Sequence, residues 1–258
     1  MKYVSLSTDG PVATVRIERP EALNAISGSV ADELKSAFYE VGSRPDIWVM
    51  VLTGAGDKAF CVGADLKERG SFTLDDFHSN RRQIRGMFQQ LRAVPQPTVA
   101  SVFGFALGGG FELALSCDLI VAAAGTQLGL PEARVGLIPA GGGTQLLTRK
   151  VGEARAKDLI FRGRRVTAEE AHAAGLVAEV VDREELAART LHIARDICRS
   201  APVAVREAKR AIEAALGGSI DDGIEAEHQA WERVIVTEDR AEGINAFNDK
   251  RDPEWANR

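Results

Sequence analysis

Two glutamates at junctions between apolar chain and flexible backbone are the residues of this sequence best suited to chemistry. Glu112 follows the glycine triplet Gly108–Gly110 in the apolar stretch GFALGGGFELALSCDL. Glu132 lies in the proline-bounded loop GLPEARVGLIP, just before a second glycine-rich turn, AGGGT. Apolar surroundings raise the pKa of a carboxyl group, and two such groups can divide acid and base roles. Taken singly, each acid also has a structural explanation, in the helix dipole or in simple solvation.

Glycine-rich turns are the second feature with chemical potential. The segments CVGADL and LGGGFE each stand at a predicted strand-to-helix transition. Backbone N–H groups without side chains around them can point at an oxygen that develops negative charge. The two segments therefore predict an oxyanion-binding site beside the glutamates.

Other common chemistries have no support. The sequence contains no phosphate-binding P-loop, no Gly-x-Ser-x-Gly nucleophile motif and no His-Glu-x-x-His motif. The four histidines are scattered without paired cysteines, which predicts solvent-facing helix residues and no metal site. Cys61 has apolar neighbours and no nearby histidine, so we expect a buried, unreactive thiol.

Composition narrows the partners. The chain carries 32 basic and 37 acidic residues, a formal net charge of −5, which disfavours nucleic acid or an anionic membrane surface as the main partner. Three cysteines in no disulfide spacing indicate reduced thiols. The N-terminus resembles no signal peptide, and the longest apolar stretch is interrupted by Glu112 and Asp118. We therefore expect a cytoplasmic protein without membrane spans.

The elements that must position these residues follow an α/β pattern. Strand-like and helix-like segments alternate along the first part of the chain, which favours helices packed on sheets. A hairpin (YVSL, VATVRIE), buried strands (IWVMVLTG, TVASVFG, DLIVAAA) and amphipathic helices capped near Ser27 and Thr73 are predicted. We expect an α/β core over residues 1–195 and a helical region over residues 196–258, without a linker between them.

Long motifs then match a known family. KAFCVGADLKER, ALGGGFELALSCDLIVAA, LGLPEARVGLIPAGGGTQLL and TAEEAHAAGLVAEVV resemble, in order and spacing, the successive motifs of the enoyl-CoA hydratase/isomerase (crotonase) family. The resemblance extends from RPEALNAI to AFNDKR, nearly the whole chain. It implies a ClpP-like superhelix of strand–strand–helix units with a helical C-terminal region for trimerisation, the trimers often pairing into hexamers.

The resemblance also implies roles for particular residues. The N–H groups of Ala64 and Gly109 match the oxyanion hole, and Glu112 and Glu132 match the two catalytic acids of the hydratases. The positions that match coenzyme A contacts are Ala22, Val62, Asp65, Leu66, Lys67, Phe247 and Lys250, the last two reaching CoA from another subunit in some members. No cofactor is implied, because coenzyme A is part of the substrate.

The expected reaction adds water across the 2,3 double bond of a 2-enoyl-CoA to give a 3-hydroxyacyl-CoA. Glu112 would deprotonate the water that attacks C3, and Glu132 would deliver a proton to C2. Which glutamate carries the proton in the free enzyme stays open at this point, because neighbouring acids titrate together.

Two alternatives remain. A double-bond isomerase of the same superfamily often lacks one of the two acids, so the presence of both favours hydration. One related hydratase binds RNA through a lysine-rich first helix, but here that helix holds only Lys35 and is net acidic.

The acyl group of the substrate cannot be identified from the sequence. Phe72, Phe77, Ile84 and Met87 line the acyl end of the pocket or form helix core, and core is favoured. Ala140 replaces the first glycine of a turn that many hydratases share. We expect this replacement to alter the local backbone near Glu132 without removing a functional group.

Overall fold

The structure is a computed structural model that describes residues 1–258, and it contains nine strands and eleven α-helices. The strands are β1 (Val4–Asp9), β2 (Val12–Ile17), β3 (Val49–Gly54), β4 (Thr98–Val102), β5 (Phe105–Leu107), β6 (Leu119–Ala123), β7 (Gln127–Gly129), β8 (Arg165–Thr167) and β9 (Glu179–Val181). The helices are α1 (Gly28–Ser43), α2 (Leu66–Arg69), α3 (Leu74–Arg92), α4 (Gly109–Leu115), α5 (Gly143–Val151), α6 (Glu153–Arg162), α7 (Ala168–Ala173), α8 (Leu186–Ile197), α9 (Pro202–Ala215), α10 (Ile220–Ile235) and α11 (Glu238–Asp249). Short 3-10 helices lie at Pro20–Ala22 and Glu132–Val135.

The larger sheet has six strands in the order β1-β2-β3-β4-β6-β9. The predicted hairpin β1–β2 is antiparallel, and all other pairs in this sheet are parallel. A parallel sheet needs cover on both faces, and β3 accordingly has buried side chains on both. Its Met50 and Leu52 lie in the main core, while Val49 and Val51 join a smaller core on the opposite face.

Helices α1 and α3 cover the main core. The capping serine and threonine fix where they begin, since Ser27 accepts a hydrogen bond from the Val30 N–H and Thr73 forms a capping box with Asp76. Both helices begin where the sequence predicted. Side chains at helical spacing, Val30, Leu34, Phe38 and Val41 on α1, are fully buried.

The smaller sheet, in the order β5-β7-β8, positions the glutamates. Strands β5 and β7 run parallel, with Leu107 paired to Gly129 and the Gly108 N–H donating to the Gly129 carbonyl at 2.9 Å. The chain leaves β5 into Gly108 and α4, and it leaves β7 into Pro131 and Glu132. Since the carboxyl ends of parallel neighbours meet at one edge, the two glutamate segments come out side by side.

Three strands were not predicted. Strands β5, β7 and β8 have three residues each, too few to display the alternation by which a strand is recognised. The region after Gly152 therefore contains a strand, β8, that the sequence pattern does not reveal.

The C-terminal helices α9, α10 and α11 follow α8. Residue 195 lies inside α8, whose Leu186 and Ala194 are buried against the larger sheet. Lys209 of α9 connects to the core, because its ammonium group donates to the Val94 and Gln96 carbonyls and to Asp118. No helix is long and apolar enough to cross a membrane.

Large apolar side chains are exposed on α9–α11 and the turns joining them. They are Ile212, Leu216, Ile220, Ile224, Trp231, Val236, Ile244 and Phe247. A surface of this kind is characteristic of protein–protein contact sites rather than of a solvated helix face.

Candidate active site

A cavity of about 460 Å³ lies between α3, α4 and the 3-10 helix that begins at Glu132. Of its 21 lining residues 11 are hydrophobic, and both glutamates, Ala64 and Gly109 are among the lining. A mostly apolar pocket of this size with a few convergent polar groups is the usual form of a small-molecule site. The four residues predicted to do chemistry are thus brought to one cavity.

The backbone amides of Ala64 and Gly109 come together because two loops approach within contact distance. A Cβ atom at Gly110 would overlap the Cys61 carbonyl group, and one at Gly63 would lie 2.8 Å from the Gly109 nitrogen. Gly63 also has φ +87°, a conformation that other residues rarely adopt. Among the hydrogen bonds of loops and helix ends, none has the N–H of Ala64 or Gly109 as donor. Both groups are therefore available to an oxygen in the cavity.

Glu112 is held as an acceptor. It is 3% exposed on α4, and its Oε1 accepts hydrogen bonds from the N–H groups of Gly141 and Gly143, both at 2.7 Å. Burial raises the pKa of this carboxyl group, while the amides of the Ala140–Gly143 turn act in the opposite direction. Oε2 has no hydrogen bond within the chain, so it can accept one from a molecule in the cavity.

The position of this turn corrects one expectation. The turn that begins with Ala140 was expected to affect Glu132, but its hydrogen bonds go to Glu112. The reason is that α5 starts at Gly143, and its free N-terminal amides point at the nearest buried acceptor. Ala140 itself keeps its side chain exposed, and it removes none of these donors.

Arg92 supports the same turn from the end of α3. Its Nη1 donates to the Gly141 carbonyl at 2.9 Å, and an added Cβ at Gly142 would lie 3.4 Å from that nitrogen. Burial lowers the pKa of Arg92, and the charge of Glu112 partly restores it. Sequence reasoning missed this residue, because nothing within α3 indicates a partner 49 positions downstream.

Glu132 has different surroundings. It is partly buried at the start of its 3-10 helix, and its Oε2 is enclosed without a hydrogen-bond partner. Burial raises its pKa to about 7, and the nearby charge of Glu112 acts in the same direction. Its Oε1 approaches Gly108, where an added Cβ would lie 3.0 Å away. A carboxyl group in this state can hold a proton near neutral pH and give it up.

Comparison with known proteins identifies the family. The sequence pattern of the family described as "Enoyl-CoA hydratase/isomerase" matches residues 7–258. The chain belongs to the enoyl-CoA hydratase/isomerase family.

Relatives support this at the level of sequence and structure. A short-chain-enoyl-CoA hydratase of Clostridium acetobutylicum is 38% identical over 97% of this chain and 96% of its own length. The putative enoyl-CoA hydratase/isomerase YngF of Bacillus subtilis is 42% identical over 93% of this chain and 92% of its own length. An enoyl-CoA hydratase from Bacillus anthracis with a known crystal structure is 39% identical in sequence. Its structure has a TM-score of 0.97 to this one, over 99% of this chain and all of that chain. The predicted family and crotonase fold are confirmed, and the isomerase alternative is not favoured.

The family's CoA-contact positions fall into two groups in this structure. Val62 and Leu66 line the cavity. The loop after Ala22 runs beside them, with the Ile26 N–H donating to the Gly63 carbonyl at 2.7 Å. Contact between CoA and these segments stays a prediction.

The remaining positions are arranged less directly. Lys67 is exposed, whereas Asp65 caps α2 and pairs with Arg19 at 2.7 Å, so its side chain serves the loop. Phe247, 83% exposed, and Lys250 lie at the end of α11 and do not line the cavity. The single chain does not bring these two residues to the cavity, and their contact with CoA stays a prediction.

The sequence offered two explanations, pocket lining or helix core, for Phe72, Phe77, Ile84 and Met87. Phe77 and Ile84 line the cavity, while Met87 is fully buried core and Phe72 is outside the lining. Sequence reasoning favoured core for all four, which is confirmed for Met87 and Ile84 but wrong for exposed Phe77 and half-buried Phe72.

Basic side chains in the lining were not foreseen. They are Arg69, His78, Arg81 and Arg134. The spacing of residues along α3 could have suggested Arg81, because it follows Phe77 by four residues and precedes Ile84 by three and so lies on their side of the helix.

The histidines and Cys61 were the other titratable candidates. All four histidines are exposed on helices, as predicted. Cys61 is fully buried and its thiol pKa is raised to about 12 by burial, which confirms the prediction of an unreactive thiol. No group of three or more His, Cys, Asp or Glu is arranged to hold a metal ion.

Proposed function

We propose that this protein hydrates 2-enoyl-CoA thioesters to 3-hydroxyacyl-CoA with Glu112 and Glu132 as its catalytic residues. The observation that carries the proposal is the convergence of two unlike carboxyl groups and two free backbone amides on one apolar cavity. The names of the relatives, an enoyl-CoA hydratase in most cases, favour the same reaction.

Charge stabilisation is assigned to the Ala64 and Gly109 amides. The thioester oxygen would accept a hydrogen bond from each of the two N–H groups. Negative charge would develop on this oxygen when water adds to the conjugated double bond. Loss of one such donor typically costs about 3–4 kcal/mol of the barrier. The amides are fixed in advance, so they need no rearrangement during the reaction.

Proton transfer is divided between the glutamates. Glu112, whose Oε1 is held by two backbone amides, would in its ionised form accept a proton from the water as its oxygen bonds to C3. The resulting enolate would collapse as C2 takes the proton of Glu132, whose raised pKa keeps that proton available near neutral pH. The reverse transfers would dehydrate the product.

Hydration of crotonyl-CoA, followed by loss of the enoyl-thioester absorbance, tests this proposal. We expect rapid turnover by the native protein and a decrease of about 100-fold or more in Glu112→Gln and in Glu132→Gln, the typical scale of acid–base catalysis. Glu184→Gln, at an exposed position without ion pairs, is the matched control. Absence of hydration by a folded protein that isomerises a 3-enoyl-CoA would replace the proposal with the isomerase.

We also propose a homotrimer, alone or paired into a hexamer, located in the cytoplasm. The exposed apolar side chains of α9–α11 support self-association, because a monomer would leave them in water. Light scattering coupled to size exclusion would decide, and a monomeric mass at micromolar concentration would contradict the proposal.

A further inference from the structure

Three basic side chains cluster at one end of the active-site cavity. Arg69 ends α2, and His78 and Arg81 lie in the first half of α3, all three lining the cavity that also holds Glu112. We call Arg69, His78 and Arg81 the basic cluster. They stand in the segment that the family resemblance assigns to the acyl end of the pocket.

No carboxylate forms an ion pair with a member of the basic cluster. None of its members has an acidic oxygen within 4.0 Å, although the chain has 37 acidic residues against 32 basic ones. Arg69 donates from Nε and Nη2 to a neutral partner, the Oδ1 of buried Asn80, at 3.2 and 3.0 Å. Glu68, the nearest acid in sequence, instead accepts the Gly28 N–H.

The surroundings of Arg69 favour a bound anion. Burial lowers the pKa of Arg69, the charge of Glu68 opposes this, and repulsion from Arg81 lowers the pKa further. Two like charges beside an apolar wall are destabilising, and a bound anion would relieve both the repulsion and the missing counter-charge.

The path from the catalytic groups to the cluster is apolar. Along one side of α3, burial increases from Phe77 and Arg81 to Ile84 and Phe88, and Phe88 packs against Gly141, which binds Glu112. Arg81 precedes Phe88 by seven residues, about 10 Å along the helix axis at 1.5 Å per residue. A ligand extending from Glu112 toward the cluster thus passes carbon side chains first and cations last.

We propose that the basic cluster binds a carboxylate at the far end of the acyl group, so that preferred substrates are 2-enoyl-CoA thioesters of dicarboxylic acids. This inference rests on the proposed hydratase function. The phosphates of coenzyme A carry the same anionic chemistry, and the apolar path from Glu112 to the cluster favours the acyl carboxylate over them.

The test compares a matched pair of substrates, 2-hexenedioyl-CoA and 2-hexenoyl-CoA, which differ in the charge at the chain end. We expect the native protein to favour the diacid thioester in kcat/KM by about tenfold or more. In Arg81→Met and Arg69→Met the ratio of the two kcat/KM values should fall by about 10- to 100-fold, the scale of a hydrogen bond to a charged group. Methionine keeps most of the aliphatic stem, and thermal unfolding reports whether Arg69→Met has disturbed Asn80.

The control is Arg85→Met. Arg85 is exposed on α3, the helix that also carries Arg81, and does not line the cavity. Its replacement by methionine removes the same unit of charge as the other two substitutions. An unchanged ratio in this variant, with a reduced ratio in the other two, supports the proposal. A ratio reduced equally in all three would indicate a general effect of charge and would overturn it.

Two further outcomes would overturn the proposal. A native preference for the neutral thioester would exclude a carboxylate site. An equal loss of kcat/KM on both thioesters in the Arg81 and Arg69 variants would assign the cluster to the coenzyme A phosphates. If neither thioester is hydrated, the hydratase proposal fails by itself, and calorimetric Kd values for the same pair, with the same expected ratio, still test the cluster.

Discussion

The two glutamates of the cavity occupy opposite environments although their segments leave neighbouring strands side by side. Glu112 lies on a helix, deeply buried, with one oxygen fixed by two amides. Glu132 lies on a 3-10 turn, partly buried, with an enclosed oxygen that has no partner. Burial raises the pKa of both carboxyl groups. The turn amides oppose this at Glu112, whereas at Glu132 only its own backbone N–H does so and the charge of Glu112 raises the pKa further. Two identical side chains at one cavity thus have different surroundings, and our proposal assigns them the roles of proton acceptor and proton donor.

The strongest way to break this difference is to remove the amides from Glu112. In Gly143→Ala the added Cβ would lie 2.9 Å from Glu112 Oε1 and 3.0 Å from both Leu130 and Pro139, so the turn must move. We expect kcat on crotonyl-CoA to fall by about 100-fold or more, within the range for losing a fixed donor. Gly217→Ala, with nothing within 4 Å of the added atom, is the control. Native kcat in Gly143→Ala would mean that the amides are dispensable.

Alkaline pH should abolish the donor function of Glu132. Because its pKa is raised to about 7, the protonated form predominates below that pH and is lost above it. For hydration we expect kcat/KM to fall about tenfold per unit above pH 7, reaching about 100-fold at pH 9. The pH profile of the native protein, with Glu132→Gln beside it, is the measurement. An alkaline limb near pH 7 that persists in Glu132→Gln would assign the titration to another group.

Weakening the support of the turn should give a smaller effect. Arg92→Met removes the charged donor to the Gly141 carbonyl but leaves the amides that bind Glu112. We expect kcat to fall about tenfold with KM nearly constant, since a charge-assisted hydrogen bond contributes about 1.5–3 kcal/mol and only part of that reaches Glu112. Arg85→Met on the same helix should have native kinetics. A change confined to KM would show that Arg92 acts on binding instead.

The smallest expected effect concerns stability. The raised pKa of Glu132 means that the folded state prefers the neutral carboxyl, so stability is complete below about pH 4.5 and is lost as pH rises through about 7. In Glu132→Gln the side chain cannot ionise, so this decrease in stability at higher pH does not occur. At 1.36 kcal/mol per unit the shift from 4.5 to about 7 gives about 3 kcal/mol, which solvent screening of a partly exposed group reduces to about 1–2 kcal/mol.

Urea unfolding at two pH values measures this effect. At pH 8 the variant should be more stable than the native protein by that amount, and at pH 4 the two should be equal. A variant that is less stable at both pH values would mean that Glu132 stabilises the fold.

Residue types and local pattern were enough to predict both glutamates, the glycine loops and the major helices and strands. Capping residues such as Ser27 and Thr73 act within one turn, so the sequence exposes them directly. Contacts between distant segments were out of reach. The turn at Gly141 binds Glu112 instead of Glu132 because of where α5 begins, and Arg92 reaches that turn across 49 positions.

The spacing of the two oxyanion amides depends on main-chain atoms. The Cys61 N–H donates to the Phe105 carbonyl at 3.2 Å, and the Leu107 N–H donates to the Cys61 carbonyl at 3.0 Å, which ties the two loops together just before Ala64 and Gly109. No side chain of α3 takes part in this connection. Substitutions on the cavity side of α3 can therefore change the lining of the pocket while the spacing of the Ala64 and Gly109 amides is kept. In a duplicated gene, substrate preference and catalytic geometry can accordingly diverge at different rates.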